Sequence, residues 1–171
     1  GYINGPDGAV IEFTGNAPAE RFDHIHMWQD DPLCAQLWYQ SHLEAKPRRG
    51  PALTVTEADC KVARGADRSW PSLVKEGTYR TPTGGVSFDD VAMNWYMNQG
   101  DAPLKPTQGR LMDHARLMDH ISLSVSDLDG WVAKLKSEGV IFLKPPYRIG
   151  GTRAVMIEGP SREAIELIED K

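Results

Sequence analysis

An Asp-His pair heads a candidate strand twice in this chain, and a helix signal follows each time. After Asp23-His24 the strand candidate spans Phe22 to Trp28, and Asp31-Pro32 then supplies a helix N-cap and a first helical residue. After Asp119-His120 the run Ile-Ser-Leu-Ser-Val alternates, and Ser126 or Asp127 caps a helix that ends at Gly139. Strand candidates follow near 140–143, 152–158 and 164–168, with Ile149-Gly150-Gly151 as a hairpin turn. Repeating strand, capped helix and strands in this order points to two like units, not to one parallel sheet wound with helices on both faces.

A second repeat concerns how a unit closes. Gly-Pro-Ser-Arg-Glu-Ala-Ile-Glu-Leu at 159–167 is echoed by Gly-Pro-Asp-Gly-Ala-Val-Ile-Glu-Phe at 5–13. The first copy therefore reads as a closing strand without its own opening half. This divides the chain into an N-terminal edge strand at 1–20, which has the pattern of a remnant of a preceding module, a first unit at 22–98, a linker at 99–113 and a second unit at 114–171. In the first unit Leu33, Leu37 and Leu43 give a partial helical stripe. Leu53 to Thr56 and Cys60 to Ala63 are short strand candidates, and Val86 to Met97 reads as one strand after Gly84-Gly85.

Side chains alternate across a strand, so parity separates a pocket face from a core face. His120 shares a face with Ser122 and Ser124, while Ile121, Leu123 and Val125 take the other. His24, His26 and Trp28 fall together, as do Asn94 and Tyr96, and Glu166 falls with Ala164 and Ile168. Both units thus offer a polar face with the composition of a cavity wall.

Bulk properties remove some function classes. The 171 residues carry a net charge of −5, with no basic run beyond Lys46-Pro47-Arg48-Arg49, so neither nucleic acid nor an anionic membrane is an expected partner. No apolar run has the length of a membrane span. Two cysteines, Cys34 and Cys60, are too few for a disulfide framework and have no metal-ligand spacing. A cytoplasmic location is expected, with secretion left open because the chain starts at Gly1.

On the motifs at 5–13, 23–43, 119–139 and 159–170, the chain resembles the vicinal oxygen chelate superfamily, which includes glyoxalase I, bleomycin-resistance proteins, fosfomycin-resistance enzymes and extradiol dioxygenases. The resemblance implies an α+β fold of paired βαβββ modules forming a cup-shaped mixed β-sheet with helices on the outside. It also implies a divalent metal, one of Fe, Mn, Zn, Ni or Co, held by His24, His120 and Glu166, with Glu166 also moving a proton. The fourth ligand position falls on Asn94, a weaker ligand than glutamate. His26 and Glu12 are the other candidates for that position or for the pocket, and Trp28, Tyr96 and Ser122 are candidate substrate-pocket residues.

The resemblance carries three functional expectations. The first is a glyoxalase-like metal-dependent lyase or isomerase that handles a small oxygen-bearing substrate through a chelated enolate or oxyanion, with a homodimer among the expected assemblies. The second is a metal-free small-molecule or drug-binding protein of the bleomycin-resistance kind. The third, an extradiol-type dioxygenase, fits less well. Met156 stands where its tyrosine is expected, and no further histidine lies between His120 and Glu166.

Overall fold

The structure is a computed structural model, and it describes residues 1–5, 10–15, 18–29, 32–48, 55–60, 83–97, 119–160 and 163–170. The linker at 99–113, the Asp31 cap, most of the strand candidates at 53–56 and 60–63, and the Trp28 side chain lie outside those residues.

Strands β1 (Tyr2–Asn4) and β2 (Val10–Glu12) come first and pair antiparallel with each other, as a two-stranded ribbon separate from the larger sheets. The first module follows: β3 (His24–Gln29), α1 (Pro32–Leu43), β4 (Lys46–Pro47), α2 (Glu57–Cys60), β5 (Thr83–Phe88) and β6 (Val91–Met97). Its sheet runs β3-β6-β5-β4, with β3 parallel to β6 and the other pairs antiparallel. The second module has β7 (His120–Val125), α3 (Leu128–Ser137), β8 (Phe142–Ile149), β9 (Thr152–Glu158) and β10 (Ala164–Glu169). Its sheet runs β7-β10-β9-β8, with β7 parallel to β10. The two modules thus share one strand order, and the class is α+β with the βαβββ plan.

Several local readings differ from the sequence expectation. Val86 to Met97 is not one strand but the hairpin β5–β6, turned at Asp89-Asp90 with Asp89 at φ 49°. Aspartate tolerates this left-handed conformation because its short side chain can bond locally. The buried stripe of α1 is Pro32, Ala35, Gln36, Tyr39 and Leu43, displaced from Leu33 and Leu37. The helix lies so close to β5 that a Cβ on Gly84 would stand 2.1 Å from the Pro32 carbonyl oxygen. Glycine is needed there, because the Pro32 carbonyl and the Gln36 side chain occupy the space a Cβ would take. The Gly85 amide donates to Gln36 Oε1 at 3.0 Å, which satisfies a buried polar side chain.

Cys34 and Cys60, too few for a disulfide framework, nonetheless form a single disulfide that ties α1 to α2. Their separation of 26 residues says nothing of proximity until both helices are in place. In the second module Asp127 caps α3 by accepting from the Gly130 amide at 2.9 Å, and Gly150-Gly151 turn the β8–β9 hairpin at positive φ.

One core joins the modules. Tyr39, Leu43, Val86, Met93 and Trp95 belong to the same buried cluster as Leu128, Leu135, Ile157, Ile165 and Leu167. Polar links cross the same boundary. The Tyr39 hydroxyl donates to Glu163 Oε1 at 2.7 Å, and the Lys134 ammonium donates to the His42 carbonyl at 2.7 Å. A cation on the last carbonyls of α1 also suits the negative end of that helix. Among the described residues no helix is long and apolar enough to cross a membrane.

Candidate functional site

The β-sheet registers show that the two modules carry corresponding positions. His24 lies across from Ala92 and His26 across from Asn94, while His120 lies across from Ala164 and Ser122 across from Glu166. His24 therefore matches His120, His26 matches Ser122, and Asn94 matches Glu166. Each module gathers its polar groups at this corner, but with different chemistry.

In the first module His24 Nε2 and His26 Nε2 are 2.7 Å apart, and Glu12 Oε2 is 3.2 Å from each. Glu12 arrives from β2, outside the module. Among the described residues these three form a group of potential ligand atoms all within 4.8 Å of one another. His24, His120 and Glu166 do not gather into such a group. The Tyr2 hydroxyl donates to Glu12 Oε1 at 3.1 Å, and the Tyr96 ring meets His26 edge-on with centroids 5.0 Å apart.

The repeated Asp-His pair has a physical role. His24 Nδ1 donates to Asp23 Oδ2 at 2.7 Å, which fixes the ring with Nε2 turned toward Glu12 and His26. Arg48 and Arg21 each donate to Asp23 at 3.0 Å. The bond from His24, aided by these guanidiniums, holds the Asp23 carboxyl below its ordinary range. Burial and then the neighbouring His24 lower the pKa of His26, so its neutral ring is favoured. Partial burial of Glu12 acts to raise its pKa, but the bonds from Tyr2 and His24 outweigh it and the net shift is downward.

This donor set fits a divalent ion. Atoms bound to one ion at about 2.0–2.2 Å sit about 3.0–3.5 Å apart. The observed separations of 2.7 to 3.2 Å need to open by only a few tenths of an ångström.

In the second module Glu166 is buried, its side chain 4% exposed. Ser122 Oγ donates to its Oε2 at 2.9 Å, and the Tyr147 hydroxyl donates to its Oε1. His120 Nε2 stands 3.4 Å from Oε2, while its Nδ1 donates to Asp119 at 2.7 Å, repeating the arrangement at His24. Burial, then the Glu166 bond and charge, pushes the Tyr147 pKa up, so the phenol stays protonated and donates. Tyr147 has no parity signal in the sequence, because β8 shifts register between Lys144 and Tyr147.

A family model described as the Glyoxalase/Bleomycin resistance protein/Dioxygenase superfamily matches residues 5–167. No curated protein matches the sequence at a significant level. Among solved structures, a member of the same superfamily from Sphaerobacter thermophilus is 17% identical, covers 89% of this chain and 98% of its own, and has a TM-score of 0.56. The fosfomycin resistance protein FosX from Listeria monocytogenes is 14% identical, with 90% and 95% covered and a TM-score of 0.56. A lactoylglutathione lyase from Agrobacterium tumefaciens is 11% identical, with 90% and 96% covered and a TM-score of 0.53. At these identities the likeness is one of fold.

Proposed function

The chain belongs to the Glyoxalase/Bleomycin resistance protein/Dioxygenase superfamily, and on that footing we propose that it is a glyoxalase-like, metal-dependent enzyme acting on a small oxygen-bearing substrate. The convergence of Glu12 Oε2, His24 Nε2 and His26 Nε2 carries this reading. Two imidazoles and one carboxylate suit Fe, Mn, Zn, Ni or Co, and three protein ligands leave positions open for substrate. An ion held there supplies Lewis acidity toward adjacent substrate oxygens.

The chain's own groups have separate tasks. Asp23 fixes the His24 ring so that Nε2 remains a ligand, and Tyr2 orients Glu12. His26 gives up its Nε2 proton to join, which its favoured neutral ring permits. Tyr96 forms part of the wall beside His26. Glu166, aimed by Ser122 and Tyr147 and flanked by His120, is the proton-transfer group in this reading.

Metal analysis of untagged protein tests this, with about one ion per chain expected. Glu12→Ala, His24→Ala and His26→Ala should each weaken binding severely, and His120→Ala should leave it in place. Loss of the ion on His120→Ala would instead favour one ion shared by His24, His120 and Glu166. Failure to bind any of the five metals would sink the enzyme reading. A metal-free small-molecule binding protein would then lead, a reading that Asn94 at the position matching Glu166 supports.

A further inference from the structure

The N-terminal ribbon is held in an unusual way. Tyr2 pairs with Glu12 and Ile3 with Ile11, so Tyr2 and Glu12 share one face while Ile3 and Ile11 take the other. Ile3 is 54% exposed and Phe13 56%, so apolar burial contributes little to holding the ribbon in place. Neither of its strands extends either four-stranded sheet. Glu12 links the ribbon to the first module at His24 and His26, and Tyr2 interacts electrostatically with Tyr96. Two partly covered histidine–carboxylate contacts are a modest fastening by themselves.

The position matching Glu166 in the first module is Asn94, so β6 offers no carboxylate beside the two histidines. Glu12 supplies one from outside. We propose that the ribbon is a strap fastened by the metal ion, with Glu12 as its clasp. The idea rests on the metal-site reading above and adds a regulation of that site.

Without an ion, the strap is held by the Glu12 contacts to two imidazoles and lifts readily. With an ion at His24 and His26, Glu12 becomes a ligand, and the strap closes over the corner that Tyr96 borders. Linkage makes the effect mutual: whatever factor the ion adds to strap closure, the closed strap adds to ion affinity. The ion thus both equips the site for chemistry and shapes access to it.

Hydrogen exchange read by mass spectrometry on the full chain tests the strap, with EDTA in one arm and Zn²⁺ or Mn²⁺ in the other. Amides of 2–4 and 10–12 should exchange at least about tenfold more slowly with the ion bound. Glu12→Gln should weaken ion binding in calorimetry by about tenfold or more. It should also abolish the slowing at saturating ion. If the wild-type chain binds the ion and 2–12 exchange as before, the strap is wrong while the metal site stands. Glu12→Gln binding as tightly as wild type would overturn the strap in the same way. Absence of ion binding in the wild type overturns both readings.

Discussion

Asn94 and Glu166 hold the same register position in the two modules, Asn94 across from His26 and Glu166 across from Ser122. Each module therefore has what the other lacks: the first has a second histidine and no acid on its closing strand, and the second has the acid and a serine. Restoring the acid in the first module is a direct experiment. Asn94→Glu should tighten divalent-ion binding by about tenfold, read by calorimetry, because it adds an anionic oxygen beside His26. It should also make Glu12→Gln nearly harmless to affinity. Unchanged or weaker binding would mean that the β6 side chain does not reach the two histidines.

One buried phenol, Tyr39, and one half-buried phenol, Tyr147, set an alkaline limit on stability. Burial, then the Glu163 charge and hydrogen bond, holds the Tyr39 pKa well above its ordinary 10.0, and Tyr147 is raised in the same direction. Unfolded tyrosine loses its proton first as pH rises, so above about pH 10 the folded chain binds more protons than the unfolded one. The stabilisation is complete below that point and declines as pH climbs toward the raised values. Urea midpoints should fall steeply from about pH 10 upward, and Tyr39→Phe should flatten that fall. An equally steep fall in Tyr39→Phe would assign it to other groups.

The Cys34–Cys60 bond closes a loop of 26 residues. On the chain-entropy account such a loop restricts the unfolded chain by about 3–4 kcal/mol. Reduction with a thiol, or Cys34→Ser with Cys60→Ser, should lower unfolding stability by roughly that amount in urea titrations. Identical midpoints with and without reductant would show that the bond does not form in solution.

Much of the plan was legible because the fold depends on short-range signals. The Asp-His pairs are such a signal, since the aspartate fixes the ring of its neighbour in both modules. The Asp127 cap and the Gly150-Gly151 turn are others. What stayed hidden depended on approach between distant segments. Tyr39 joins the core where α1 lies close on β5 at Gly84, and no helical stripe announces that. Tyr147 reaches Glu166 past a shift in register that defeats counting by twos. Glu12 reads as an edge-strand carboxylate until the ribbon delivers it to His24 and His26.

The bond from Tyr39 to Glu163 spans 124 residues and lies in the seam between the modules. On a ribosome, the first module therefore emerges well before the residues that complete its core. At about 5–20 residues per second the wait from Tyr39 to Glu163 is roughly 6–25 seconds. Through that interval the Tyr39 hydroxyl is without its Glu163 acceptor, although β5 and β6 already lie under α1. Such a chain finishes folding late in its own synthesis, and its N-terminal half expressed alone would present an unfinished core instead of a domain.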